Sequence, residues 1–188
     1  MCGIAGVLLV DRSSFDLTGV AERMATALHH RGPDDSGLWS DREAGVALTH
    51  RRLSIIDTSS GARQPMVSPA GHLVIGYNGE IYNYLDVRAE LEREGVAFRT
   101  HSDTEVLVAA IEHWGVAAAL DRLVGMFALA VWDKRDQSLV LARDRAGEKP
   151  LYWGFVGRNL AFASELKSFR AVPGFRGDID REALQLYM

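Results

Sequence analysis

The stretch GMFALAVWDKRDQSLVLARDRAGEKPLYWGFVGRNLAFA, residues 125–163, decides the fold class. Its short apolar runs alternate with polar turns at 133–136 and 157–159, and this is the pattern of strands joined by hairpins. Successive hairpins build antiparallel sheet, so the last third of the chain predicts an antiparallel arrangement. The runs are Met126 to Trp132, Leu139 to Ala142, Leu151 to Val156 and Leu160 to Ala163.

The residues before this stretch mix strands with amphipathic helices. Val20, Met24 and Leu28 recur at helical spacing, and SDTE at 102–105 has the form of a capping box that opens another helix. Strands, then helices, then strands again favour a layered α+β domain over a parallel βαβ fold. The other elements predicted before residue 125 are strands at Gly3 to Val10, Gly37 to Ser40, Val46 to Thr49 and Leu73 to Tyr77, a turn at Asn78-Gly79, and helices at Tyr84 to Glu94 and Val116 to Leu123.

Composition and charge narrow the classes of function. A net charge of -4 without a basic stripe argues against nucleic-acid binding. No apolar run approaches the length of a membrane span, and the N-terminus lacks the basic segment of a signal peptide. The single cysteine cannot form a disulfide within the chain, which favours a reducing compartment and hence the cytoplasm.

The length of the chain is enough for one domain with its own core, spanning residues 1–188. Residues 180–188 have the pattern of a helix that has just begun, with Asp180 as its cap. Because a chain rarely ends inside an amphipathic helix, we expect these residues to belong to a longer protein, with a further domain following directly.

The position of Cys2 makes it the first candidate nucleophile. A lone cysteine is more often a small buried apolar residue, but removal of Met1 would put a free α-amine on the same residue as the thiol. An α-amine ordinarily titrates near pH ~8 and a thiol near ~8.5, so the amine can act as base for the thiol. While Met1 is present, that base is tied up in a peptide bond.

Three further positions could complete an acyl-transfer site. An oxyanion needs hydrogen-bond donors, and Asn78-Gly79 offers an amide side chain and an unobstructed N–H, although the dipeptide alone is more often a hairpin turn. An amino-acid substrate needs a guanidinium for its carboxylate and a carboxylate for its ammonium, which Arg52 and Asp103 could supply. Taken singly, a solvated arginine and a helix cap are the commoner roles.

Eight segments follow one another along nearly the whole chain. They are MCGIAG at 1–6, RGPDDSG at 31–37, HRRLSIID at 50–57, YNGEIYN at 77–83, SDTE at 102–105, GMFALAVWD at 125–133, ARDRAGEKPLYW at 142–153 and FASELKSF at 162–169. Together, and in this order, they resemble class II glutamine amidotransferases, and most closely the N-terminal domain of asparagine synthetases. The set is far more specific than any one of its motifs.

The resemblance implies the N-terminal-nucleophile hydrolase fold, a four-layer αββα sandwich with two antiparallel sheets. It implies that mature Cys2 attacks the side-chain amide of L-glutamine, and that water releases glutamate from the resulting thioester. The implied oxyanion hole consists of Asn78 and the N–H of Gly79. The implied glutamine-binding residues are Arg52, Leu53, Ser54, Ile55 and Ile56 on the α-carboxylate side, Glu80 and Asp103 on the α-ammonium side, and Asn78 and Gly79 at the amide.

Cofactors are expected only in the second domain of this family, which binds ATP and magnesium, activates aspartate as an acyl-adenylate and receives the ammonia. Residues 1–188 lack a Gly-rich phosphate loop and a set of metal ligands, so we expect no ATP, magnesium or other metal here. The expected partners are L-glutamine and a C-terminal synthetase domain, without nucleic acid or membrane. The oligomeric state is open, and a homodimer is one option.

Other interpretations stay open. The retained Met1 and the missing second domain also fit a catalytically silent regulatory or docking domain. A stand-alone amide hydrolase with another substrate would use the same nucleophile. The ammonia could also serve an amide other than asparagine.

Overall fold

The structure, a computed structural model, describes residues 1–10, 16–53 and 63–187. Nine strands and five α-helices lie in these ranges, with short 3-10 segments at His29–Arg31 and Leu166–Ala171. The strands are β1 Gly3–Leu8, β2 Asp35–Asp41, β3 Val46–Arg52, β4 Met66–Val67, β5 Leu73–Ile81, β6 Gly125–Asp133, β7 Ser138–Arg143, β8 Tyr152–Val156 and β9 Asn159–Ala163. The helices are α1 Leu17–Ala27, α2 Tyr84–Arg93, α3 Asp103–Trp114, α4 Val116–Arg122 and α5 Arg181–Tyr187.

The strands form two antiparallel sheets. The first has the order β2-β3-β1-β9-β8, and the second has the order β4-β5-β6-β7. The strands predicted from residues 125–163 are confirmed as β6 to β9, but they are shared between the sheets: β6 pairs with β7 in the second, and β8 pairs with β9 in the first. The segment between Arg143 and Tyr152 therefore crosses from one sheet to the other.

Buried apolar side chains hold these elements together in four layers, in the order helix, sheet, sheet and helix. Met24 of α1 is buried in one cluster with Ala5 and Val7, on the outer face of the first sheet. Helices α2, α3 and α4 cover the outer face of the second sheet. Between the sheets, Phe162 and Trp132 belong to a third cluster, and each large side chain buried in this way stabilises the fold by roughly 1.5–3 kcal/mol. The predicted four-layer αββα sandwich is confirmed.

The ends of two helices test the predicted caps. The Ser102 hydroxyl accepts the N–H of Glu105 at 3.2 Å, so Ser102 caps α3 as predicted. The Glu105 carboxylate does not return to Ser102 but accepts the N–H groups of Arg99 and Thr100 at 2.9 and 2.7 Å. The capping box is therefore half formed, because Glu105 holds the loop before the helix instead. Asp180 caps α5 as predicted.

The predicted turn at Asn78-Gly79 is wrong. Strand β5 continues through both residues to Ile81, and Gly79 pairs with Phe127 of β6. A Cβ on Gly79 would lie 2.3 Å from the carbonyl oxygen of Met126 and 2.8 Å from the Cα of Phe127. The glycine is therefore required by the close approach of the neighbouring strand and not by a turn.

Candidate active site

Cys2 lies at one end of the space between the two sheets. Side chains alternate across a strand, so Cys2 shares the inner face of β1 with Ile4. That face points toward the second sheet, because a Cβ on Gly76 of β5 would lie 3.8 Å from a methyl carbon of Ile4. Gly3 pairs with Arg51 of β3, which brings Cys2 beside Arg52 at the end of the ladder.

A cavity of about 180 Å³ opens beside Cys2. An ordered water needs only about 10–15 Å³, so the cavity has room for a small molecule. Every predicted site residue that the structure describes lines this cavity: Cys2, Arg52, Leu53, Asn78, Gly79, Glu80 and Asp103. Ser54, Ile55 and Ile56 were also predicted to bind glutamine, and they lie outside the described residues.

The half-buried thiol of Cys2 rests against the backbone of Leu53. The N–H of Leu53 donates to Sγ at 3.4 Å, and the thiol lies 3.6 Å from the Leu53 carbonyl oxygen. The carbonyl oxygen of Cys2 accepts from Nε of Arg31 at 2.9 Å, and Arg31 pairs with Glu165 at 3.0 Å. These contacts hold the residue at the start of β1 with its sulfur beside the cavity.

The side-chain nitrogen of Asn78 is a buried donor without a hydrogen-bond partner among the described residues. Asn78 is only 2% exposed, and it lines the same cavity as Cys2. A buried donor left unsatisfied costs about 1–3 kcal/mol, so native structures seldom tolerate one without a reason. A ligand oxygen in the cavity would supply the missing acceptor.

The backbone N–H and C=O of Gly79 point away from β6. Its pair in the ladder, Phe127, directs both backbone groups to Asp144: the Phe127 N–H donates to Oδ2 at 3.1 Å, and the Asp144 N–H donates to the Phe127 carbonyl at 2.8 Å. In an antiparallel strand the N–H and C=O of one residue point to the same side, so Gly79 and Phe127 exchange no hydrogen bonds. The N–H of Gly79 therefore lies on the open edge of β5.

Two side chains occupy that open edge on either side of Gly79. Gln64 Oε1 accepts the N–H of Tyr77 at 2.6 Å, and Asp103 Oδ2 accepts the N–H of Ile81 at 3.1 Å. In the part of the chain that the structure describes, no side chain takes the N–H of Gly79 between them. A backbone donor and the amide of the preceding residue are thus both available beside the cavity.

The carboxylate of Asp103 reaches from the first residue of α3 back to β5. Besides the Ile81 N–H, its Oδ2 accepts the hydroxyl of Tyr77 at 2.9 Å. Burial raises the pKa of Asp103, and these hydrogen bonds oppose the rise. Burial and the charge of Asp103 raise the pKa of Tyr77 well above its usual value, so its hydroxyl stays protonated as the donor.

The cavity also holds polar residues that the motifs did not predict for the site, including His50, Gln64, Tyr77 and Lys149. His50 lies two residues before Arg52 on the inner face of β3, so strand alternation from Arg52 would have found it. Burial lowers the pKa of His50 to about 4, and its neutral ring donates from Nε2 to the Tyr77 carbonyl at 3.1 Å. Gln64 and Lys149 follow no such periodicity, because segments outside the strands bring them to the cavity.

The described ranges lack the features of two other kinds of site. None of the helices there has the length and apolar character needed to cross a bilayer. Among the same residues, no group of three or more His, Cys, Asp or Glu is arranged to hold a metal ion. The expectation that the domain works without a metal stays a prediction.

The sequence relatives are longer than this chain, which matches only part of each of them. The family described as the glutamine amidotransferase domain matches residues 1–188. The glutamine-hydrolyzing asparagine synthetase 1 of Bacillus subtilis (strain 168) is 43% identical over 190 residues, covering 100% of this chain and 29% of the relative. Asparagine synthetase 2 of the same strain is 41% identical over 175 residues, covering 92% of this chain and 23% of the relative. The chain thus spans less than a third of either protein.

A solved structure supports the fold. Glutamine phosphoribosylpyrophosphate amidotransferase from B. subtilis, complexed with ADP and GMP, superposes with a TM-score of 0.75 at 23% identity, covering 91% of this chain and 43% of that one. The predicted resemblance to asparagine synthetase N-terminal domains and the predicted N-terminal-nucleophile hydrolase fold are confirmed. The chain belongs to the glutamine amidotransferase domain family.

Proposed function

We propose that this domain hydrolyses the side-chain amide of L-glutamine to glutamate and ammonia, with Cys2 as nucleophile after removal of Met1. Sγ attacks the amide carbon while the thiol proton passes to the α-amine of Cys2. That proton then goes to the leaving nitrogen, ammonia departs, and a glutamyl thioester remains. Water attacks the thioester, releases glutamate and restores the thiol.

The pair of available donors beside Cys2 is the observation that carries this proposal. Attack on the amide places negative charge on its oxygen, and donors aimed at that charge lower the barrier. The orphaned amide nitrogen of Asn78 and the open-edge N–H of Gly79 are two such donors on adjacent residues. An acceptor bound between them would satisfy the buried Asn78 nitrogen, and the two donors would serve as the oxyanion hole.

The charged head of glutamine has complementary groups in the same cavity. Arg52 is assigned to the α-carboxylate, with the backbone of Leu53 and the segment 54–56 assisting it. Asp103 and Glu80 are assigned to the α-ammonium. Because Tyr77 and Ile81 hold the Asp103 carboxylate in place, its position is set before substrate binds.

The larger protein is a further part of the proposal. The relatives are glutamine-hydrolyzing asparagine synthetases more than three times as long as the matched region, which supports a following synthetase domain that uses ATP and magnesium to convert aspartate to asparagine. We place ATP and magnesium there and not in residues 1–188. A cytoplasmic location suits a reduced catalytic thiol. The homodimer stays a prediction, which light scattering of the purified protein tests.

Glutamate release from glutamine tests the proposed reaction. Mass spectrometry first identifies the fraction of protein that lacks Met1, and the rate is expected to scale with that fraction. Cys2→Ala should abolish release, because the thioester cannot form, while its thermal melting should match that of the wild type. Equal release by wild type and Cys2→Ala would reject the reaction. Intact Met1 without any turnover would favour the silent docking domain.

A substrate screen separates glutamine from other amides. The wild type should hydrolyse glutamine faster than amides that lack the α-amino acid head, because Arg52 and Asp103 then lose their ligands. Faster hydrolysis of such an amide would favour the stand-alone hydrolase. In the full-length protein, asparagine formation from aspartate and ATP identifies the acceptor, and a different amide product would replace asparagine in the proposal.

A further inference from the structure

Lys149 is a buried cation of the cavity that the proposed reaction does not use. It is 7% exposed and lines the cavity together with Cys2. Its Nζ donates to the thioether sulfur of Met1 at 3.4 Å, and no carboxylate of the described residues pairs with it. A thioether is a weak acceptor, and a lysine is seldom buried without an anionic partner. The ammonium is therefore held near the N-terminus without a paired carboxylate among the described residues.

The backbone of Lys149 is anchored independently of Met1. Its N–H donates to Asp144 Oδ2 at 3.1 Å, and its carbonyl accepts from Nε of Arg143 at 2.6 Å. The same Asp144 carboxylate accepts the N–H of Phe127 in β6. Because these contacts tie the segment to the second sheet, the backbone of Lys149 stays beside the cavity when Met1 is removed, and its side chain remains within reach of Cys2.

The distance from Lys149 to the new N-terminus is bounded by covalent geometry. Nζ lies 3.4 Å from the Met1 sulfur. Roughly five bonds join that sulfur to the backbone nitrogen of Cys2, a span of at most ~6 Å. The ammonium and the liberated α-amine are therefore within about 10 Å of each other.

We propose that Lys149 is a positioning residue for the nucleophile, whose charge makes the amine and thiol of mature Cys2 release their first proton at a lower pH. The inference rests on the function proposed above. A nearby cation disfavours the fully protonated, positively charged form of the pair. The bound of about 10 Å does not exceed the Debye length at ~0.1 M salt, and buried charges are screened less than exposed ones, so the ammonium still acts on the pair. The two groups titrate together, so the shift belongs to the pair.

Other charged groups around Cys2 also influence the pH midpoint of its amine and thiol. Cations lower the midpoint and carboxylates raise it, so its effect is isolated by changing Lys149 alone. Among the described residues, the other titratable and charged groups facing Cys2 are the cations Arg31 and Arg52, the carboxylates Glu80 and Asp103, and the neutral side chains of His50 and Tyr77.

The test is the rate of alkylation of Cys2 by iodoacetamide as a function of pH, in proteins shown by mass spectrometry to lack Met1. Lys149→Met and Lys149→Gln should each raise the midpoint, because the cation is lost, and Lys149→Arg should leave it in place. Lys134→Met is the matched control, because Lys134 is an exposed lysine that donates to the carbonyl of Gly71 at 2.8 Å. Its midpoint should equal that of the wild type.

An unchanged midpoint in the neutral Lys149 variants overturns the inference. Both variants are expected to fold, because they remove a buried charge that pairs with no carboxylate of the described residues, and if one does not fold the other decides. Glutamate release, measured in parallel, separates the two proposals. A shifted midpoint without any glutamate release rejects glutamine as the substrate and leaves the role of Lys149 standing. Release without a shift rejects the role of Lys149 alone.

Discussion

Replacing Asn78 by alanine should lower activity without lowering stability. The substitution removes one of two donors assigned to the oxyanion, a loss that lowers kcat by about 10²–10³, or ~2.7–4 kcal/mol in the barrier. The residual rate reflects the N–H of Gly79, which the substitution leaves in the backbone. In the resting protein the Asn78 nitrogen has no partner among the described residues, so no native hydrogen bond of that nitrogen is lost. The melting temperature should therefore hold or rise.

Asn159→Ala is the matched control, and it should have the opposite effects: lower stability and unchanged activity. Asn159 is also buried, but its Oδ1 accepts the N–H of Val10 at 3.0 Å. Eight residues separate Val10 from Cys2 along an extended strand, so this contact lies roughly 25 Å from the thiol. Its loss should destabilise the fold by about 1 kcal/mol and lower the melting temperature by about 2–4 °C, with kcat unchanged.

The assay for both variants is glutamate release at saturating glutamine, with thermal melting on the same samples and Met1 removal verified in each. If Asn78→Ala kept kcat within a few-fold of the wild type, the amide nitrogen would not be stabilising the oxyanion. A fall in melting temperature as large as that of Asn159→Ala, with activity lost in proportion to unfolding, would equally refute the reasoning.

Two further predictions concern pH and the support of the nucleophile. Burial lowers the pKa of His50 to about 4, below its unfolded value of 6.5, so the unfolded chain binds the extra proton and stability should fall as pH drops from about 6.5 to 4. The loss approaches about 3 kcal/mol at ~1.4 kcal/mol per pKa unit, and thermal melts of His50→Gln across this window should show a flatter dependence. Burial alone would raise the pKa of Glu165, but hydrogen bonds from Arg31, His30 and Lys167 outweigh it and lower the pKa to about 2. At pH 7, Glu165→Gln should lower the melting temperature by about 2–4 °C and slow glutamate release, because Arg31 also holds the Cys2 carbonyl; unchanged values for both would contradict this link.

Local patterns in the sequence predicted most of the strands, helices and caps. Alternating apolar runs with polar turns mark the strands of residues 125–163, and helical spacing marks α1, because both periodicities follow from the backbone geometry of a few neighbouring residues. The ordered motifs identified the family and its N-terminal cysteine. They also named candidate residues that prove to line one cavity, from Cys2 to Asp103.

Asn78-Gly79 shows where such local signals fail. The dipeptide favours a hairpin turn, yet β6 lies so close to Gly79 that the glycine serves the pairing of two strands more than forty residues apart in sequence. That pairing also turns the N–H of Gly79 to the open edge of β5. Its direction depends on the register between strands, which no short window of sequence contains.

The sequence by itself determined the family and most of the order of the elements, and it singled out Cys2 as the candidate nucleophile, since these depend on residue types and short spacings. Only the tertiary structure decided that the Asn78 nitrogen lacks a partner, that Gln64 and Tyr77 join the site, and that Lys149 reaches Met1 across almost the whole chain. Contacts between distant segments arise when the two sheets pack face to face. Packing of this kind depends on the combined shape and burial of many side chains, and a local pattern does not carry that information.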